Sequence, residues 1–322
     1  MARAKASSVE AKLAALRDAP ALADLRDALR SSTGVLVAAA AARIVADPTR
    51  DHLALVADFG AAFDRLCERP VQRDPGCRGK LALVEALYEL DRWDAVFERA
   101  VAYVQAEPQW GGSSDTAATL RGLCGLAFAH FMRPDALDVL AQLLADPERA
   151  TRATAAQALG NTGRPDATAL LRFKLLVGDA DVAVLAPCFE SLLALAKDDA
   201  LGFIDRFLGA HDERAEVAIV ALGTSHLAAA LPRIAAWTER ALAEQRRRVG
   251  YLALALLRLE PATAQLLDLV ATGDDADAIA AAAALATFRD DPSLRARLVA
   301  AAAQQRDRTA RTEIERALAP RP

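Results

Sequence analysis

The stretch over residues 146–178, DPERATRATAAQALGNTGRPDATALLRFKLLVG, constrains the fold more than any other, because it spells two short helices and the turn between them. Asp146 is positioned to accept from the free N–H groups of a first turn, and Pro147 suits the first helical position, where no donor is needed. Ala153, Ala156 and Leu159 recur at helical spacing. Gly160 and Gly163 supply permissive backbone for a tight turn before Pro165 and Asp166 open a second helix that stops at Gly178. That helix is expected to place Leu170, Leu171, Leu175 and Leu176 on one face. Two amphipathic helices this short cannot bury their apolar faces alone, so the unit makes physical sense only if copies stack.

The rest of the chain repeats this pattern loosely. Leu159, Leu222 and Leu285 are each 63 residues apart, which is two repeats of roughly 31 to 32 residues. The expected fold is all-α: a right-handed α-α superhelix, or solenoid, of about eight helix pairs over residues 33–306. Polar helices with one apolar side cap it at 1–32 and 307–322. Length alone favours two globular domains, but a repeat array of 322 residues forms one elongated domain, and a single array over 1–322 is the expectation. First helices are richer in Ala and second helices in Leu, which permits close packing on one side and fills a wider interface on the other. Pro187 falls inside an expected first helix, where a kink is predicted.

Laid out together, Asp146, Pro147, Arg152, Ala155, Ala156, Ala158, Leu159, Gly160 and Gly163 resemble the HEAT-like repeat of the phycobilisome-lyase type. That resemblance is best over 146–178, weaker over 212–223, and carried elsewhere by helix pairing. In the next unit Ala183 stands where the pattern places Arg, which interrupts an Arg ladder. The segment 74–121 is also similar to a block found in bacterial HEAT-repeat proteins of unassigned role. What the resemblance implies is protein binding by the superhelix surface. A second implication, from the repeat type alone, is a lyase or chaperone-like factor for a tetrapyrrole-bearing protein.

Two loops interrupt otherwise short connections: ERPVQRDPGCRGK over 68–80 and QAEPQWGGSSDT over 105–116. Both join a second helix to the next first helix, so in a stacked array they emerge on one edge, roughly 10 Å apart. They define the candidate site for a partner or an anion. Gly111, Gly112, Ser113 and Ser114 precede a helix N-terminus, where free N–H groups and the helix dipole favour an anion. Arg73, Arg78, Lys80 and Arg121 are the expected positive charges, and Trp110 a flat apolar surface. The competing reading is structural: Asp115 or Ser114 caps the helix, the glycines make the turn and Trp110 covers neighbouring helices.

Other chemistry finds little purchase. The net charge of −4 provides no global basic field, which argues against nucleic acid. A nucleic-acid-processing role, as in HEAT-like glycosylases, would draw on Trp93, Trp110, Trp237 and the cluster Arg240, Arg246, Arg247 and Arg248. That cluster reads better as a solvated helix face, with Glu239 and Glu244 beside it. Cys67, Cys77, Cys124 and Cys188 form no CxxC pair, so neither a disulfide framework nor a metal site is expected. His52, His130, His211 and His226 are never followed by Glu, and HEAT-like di-iron hydroxylases need such His-Glu ligands. No catalytic residue, cofactor or metal is expected. The N-terminus lacks a signal-peptide core, and the longest apolar runs, 34–42 and 279–288, are about half of the roughly 20 residues that span a bilayer. The expectation is a cytoplasmic protein-binding scaffold, with Phe189, Phe203, Phe207 and Trp237 as further possible anchors.

Overall fold

A computed structural model describes residues 2–17, 20–210 and 212–318. The chain comprises two compact units, Met1–Thr162 and Gly163–Pro322. Both are built from short helices, as the helical period of the apolar residues requires.

The first unit opens with α1 (Ala2–Ala15), α2 (Leu22–Leu29), α3 (Gly34–Ala46) and α4 (Arg50–Ala54). A 3-10 turn, Leu55–Asp58, leads into α5 (Phe59–Cys67). Next come α6 (Pro70–Arg73), α7 (Arg78–Glu89) and α8 (Val96–Ala100), and after a short hairpin α9 (Ala118–His130), α10 (Ala136–Leu143) and α11 (Arg149–Asn161). Helices α3, α7, α9 and α11 stack side by side in that order. The stack depends on small residues at its crossings. A Cβ on Gly34 would lie 2.0 Å from Asp74 Oδ1, and one on Gly79 would lie 2.8 Å from the Gly34 backbone. Trp93 fills the space beside the row, its ring 5.2 Å from Phe97 and 5.1 Å from Phe128, with the Arg133 guanidinium 4.5 Å over its face.

The second unit contains α12 (Ala167–Val177), α13 (Leu185–Ala196), α14 (Asp198–Ile204), α15 (Glu213–Thr224) and α16 (Leu231–Glu239). It continues with α17 (Glu244–Leu257), α18 (Glu260–Thr272), α19 (Asp275–Leu285), α20 (Pro292–Gln304) and α21 (Arg308–Leu318). Here α13, α15, α17, α19 and α21 form the row, with α16, α18 and α20 packed along it. Asp212, Asp274 and Asp291 accept first-turn N–H groups and so start α15, α19 and α20.

Several local expectations change. Asp146 does not cap a helix at its own position: α11 begins at Arg149, and Asp146 Oδ1 accepts from Glu148 N at 2.8 Å. Arg152 reaches back to the carbonyls of Asp146 and Pro147 and holds the entry. Gly160 lies within α11, while Gly163, at φ +64°, makes the turn. Pro187 lies in the first turn of α13, behind a 3-10 turn at Val182–Val184, and a missing N–H is harmless there. On α12 Leu171 and Leu175 are buried, but Leu176 is exposed together with Phe173 and Val177.

Candidate partner-binding hairpin

The segment expected as a loop running into a helix is a β-hairpin. Strand β1 (Ala106–Gln109) pairs antiparallel with β2 (Gly112–Asp115), Ala106 opposite Asp115 and Gln109 opposite Gly112. Trp110 and Gly111 form the turn. Gly111 has φ +86°, which a second central residue of a type II turn needs and glycine adopts without strain. Gly111 and Gly112 therefore sit at the tip, several residues from the first turn of α9. Their N–H groups do not form the helix-terminal anion site expected of them. Trp110 is fully exposed and covers no neighbouring helix.

The base of the hairpin holds it to the first unit. Glu107 Oε1 accepts from Gly76 N at 2.7 Å, Gln105 Nε2 at 2.6 Å and Thr116 Oγ1 at 2.8 Å. Gln105 Nε2 also donates to the Asp74 carbonyl at 2.8 Å. The 68–80 and 105–116 segments thus meet through two hydrogen-bonded pairs, Gly76–Glu107 and Asp74–Gln105. Asp115 Oδ1 accepts from Gln105 N and Ala117 N, which steadies the entry to α9 without being its formal cap. Burial alone would raise the Asp115 pKa. The two N–H groups and the Arg121 guanidinium outweigh it and hold the carboxyl below the usual range. Glu107 is likewise lowered: its desolvation is outweighed by the donors from Gln105, Gly76 and Thr116.

Two expected positive charges are structural. Lys80 is fully buried, and its ammonium donates to Asp74 Oδ2 at 2.9 Å and lies 5.4 Å from the centre of the Tyr103 ring. The same carboxylate accepts from Gly79 N at 2.7 Å and Lys80 N at 3.1 Å, so Asp74 caps α7 and neutralises Lys80 at once. Arg121 is also buried, donating to Asp115, Asp146 and the Tyr103 carbonyl. Arg73 is turned to Glu68 at 2.5 Å and to the Arg65 carbonyl. Arg78, at the start of α7, remains exposed beside Gly76. Of the expected site, the structure leaves Trp110, Gly111, Gly112 and Arg78 facing solvent. Lys80, Arg121 and Asp115 lie in the framework underneath.

The sequence reading did not single out Asp74, Gln105, Glu107 or Asp146 for this site, although they connect it. Asp74, six residues before Lys80, was the available signal. Elsewhere, Phe189 and Trp237 are core residues and Phe203 and Phe207 are half-buried. Arg246, Arg247 and Arg248 face Glu216, Asp277 and Glu244, the paired surface expected of a solvated helix. Among the described residues no group of three or more His, Cys, Asp or Glu is arranged to hold a metal ion. No helix of the described residues is long and apolar enough to cross a membrane.

Residues 113–186 match the family described as HEAT repeats. The helix pairs around that segment are those of a HEAT-like repeat fold, and the chain is of the all-α class. No curated protein matches it. Among solved structures it is similar to human deoxyhypusine hydroxylase in complex with glycerol, at 19% identity and a TM-score of 0.30, over 83% of this chain and 96% of that one.

Proposed function

We propose that this helical-repeat scaffold is a non-catalytic adaptor that holds a protein partner, and that the Trp110 hairpin is a principal contact. The supporting observation is the pairing of a fully exposed Trp with a braced base. Leaving an indole in water forfeits its burial, while interfaces draw much of their affinity from Trp, Tyr and Arg anchors. A tip whose base is fixed by hydrogen bonds loses little conformational entropy on binding. Arg78 beside the base offers a second contact of the kind enriched at interfaces. The four cysteines are free thiols, which fits a reducing compartment such as the cytoplasm.

The test is affinity purification from the native organism with the full chain and with Trp110→Ala, alongside thermal unfolding of both. The proposal expects one or more partners to be lost at unchanged stability. An identical partner profile for the two proteins rejects the hairpin as a contact.

A further inference from the structure

The second unit carries a cleft of about 810 Å³ that the hairpin does not involve. It lies between the turn that follows α14, helix α16 and the segment leading into α17. Leu208, Trp237 and Ala241 give it an apolar floor, and Leu242 stands 95% exposed at its rim. An exposed leucine beside buried apolar groups leaves a place where a partner's apolar side chain would be desolvated on both sides.

The charges around the cleft are mostly matched. Arg233 is bound to Asp205 through Nε at 2.8 Å and Nη2 at 3.2 Å. Arg246 faces Glu216 at 3.6 Å, Arg247 faces Asp277 and Arg248 faces Glu244. Glu239 lines a separate cleft with Thr238 and Tyr251. Arg240 is exposed at the rim, and no ion pair is found for it among the described residues. With Arg233 and Arg246 matched, Arg240 is the lining guanidinium left to meet an anion.

We infer that this cleft binds an acidic peptide segment of a partner protein, with a Leu or Phe side chain against Leu242 and the apolar floor and an Asp or Glu carboxylate on Arg240. The open rim, where both Arg240 and Leu242 face solvent, suits an extended peptide. A small-molecule site encloses most of its ligand. Nucleic acid would require several phosphate-directed cations, and Arg233, Arg246, Arg247 and Arg248 all face carboxylates. The site lies in the other unit from the Trp110 hairpin and stands without it.

The experiment is fluorescence anisotropy on the full chain with a labelled ten-residue probe of Asp and Glu carrying two Leu and one Phe. Two control peptides replace the acidic residues by Lys or the apolar residues by Ser. Saturable binding of the acidic probe alone is expected. Arg240→Glu should weaken it about tenfold, by reversing the charge at a rim contact, and Leu242→Ser about fivefold, by removing apolar contact. Both side chains are exposed, so unchanged circular dichroism will accompany these losses. Trp110→Ala should bind the probe as the parent does, so the two sites fail or survive separately. Absence of saturable binding, equal binding by Arg240→Glu, or equal binding of the serine control would overturn the inference.

Discussion

Arg121 on α9 grips Asp146 at two points across 25 residues of sequence, Nε to Oδ2 at 2.7 Å and Nη2 to Oδ1 at 2.9 Å. Its remaining nitrogen reaches Asp115 at 2.5 Å, at the foot of the hairpin. One guanidinium therefore joins the hairpin, the helix that follows it and the entry to the next repeat. A planar fork serves three such acceptors where an ammonium, a point donor, would serve fewer.

Replacing Arg121 by Met should destabilise the first unit by about 3–5 kcal/mol, because two sheltered carboxylates would lose their counter-charge. Urea unfolding measures this. A loss below about 1 kcal/mol, the range of an exposed pair, would contradict the assignment.

The Asp74–Lys80 pair should respond asymmetrically. Asp74→Ala strands a fully buried ammonium and removes the cap of α7, for about 3–5 kcal/mol. Lys80→Met leaves Asp74 still accepting from Gly79 N and Lys80 N, and should cost about half as much, since a carboxylate with partners is less exposed to the penalty. Equal losses in chemical denaturation would argue against this division of roles.

Acid should loosen the hairpin before the helices. Glu107 and Asp115 both have folded-state pKa values below their ordinary ones. Their contribution is therefore present above the unfolded-state values, near pH 4, and lost as pH falls through the folded-state values. Amide exchange followed between pH 6 and pH 3 should show Gly76 and Thr116 losing protection relative to the α7 and α9 interiors. Glu107→Gln should flatten that dependence at Gly76. If Gly76 in the parent tracks the helix interiors throughout, the carboxylate does not hold the hairpin.

The sequence made the helices legible because their apolar residues recur at the helical period over enough turns to be unmistakable, as in Leu83, Val84 and Leu87 of α7. The hairpin left no such trace. AEPQ and GSSD have no alternation and few strand-favouring residues, and what fixes them is side-chain bonding from Gln105, Glu107 and Asp115 at the base. Lys80 read as a surface charge because lysine is seldom fully buried, and the acceptor that permits its burial, Asp74 six residues before it, carried a signal that was not weighed. Pro187 read as a kink because the 3-10 turn ahead of α13, which moves the proline into a first turn, has no distinct sequence signal.

Thiol chemistry should separate one cysteine from three. Cys77, Cys124 and Cys188 are buried, and burial pushes the Cys77 and Cys188 thiols up to about 12 and raises Cys124 as well. Cys67 is half-buried, and desolvation raises it too, with Lys80 opposing. At pH 8 the native protein should react with a thiol-specific chromogenic reagent slowly and at Cys67 first, while urea releases all four. Rapid native modification of Cys77 would mean that the α7 entry opens readily.

The Trp110-Gly111 turn stands clear of the helices, since the side chains that tie the hairpin to them are those of Gln105, Glu107 and Asp115 at its base. Tip and anchorage are thus separable by a cut of only a few residues. A foreign loop spliced between Gln109 and Gly112 would inherit a ready-made mount, and a lineage exchanging partners could rewrite the tip while the repeats below stayed as they are.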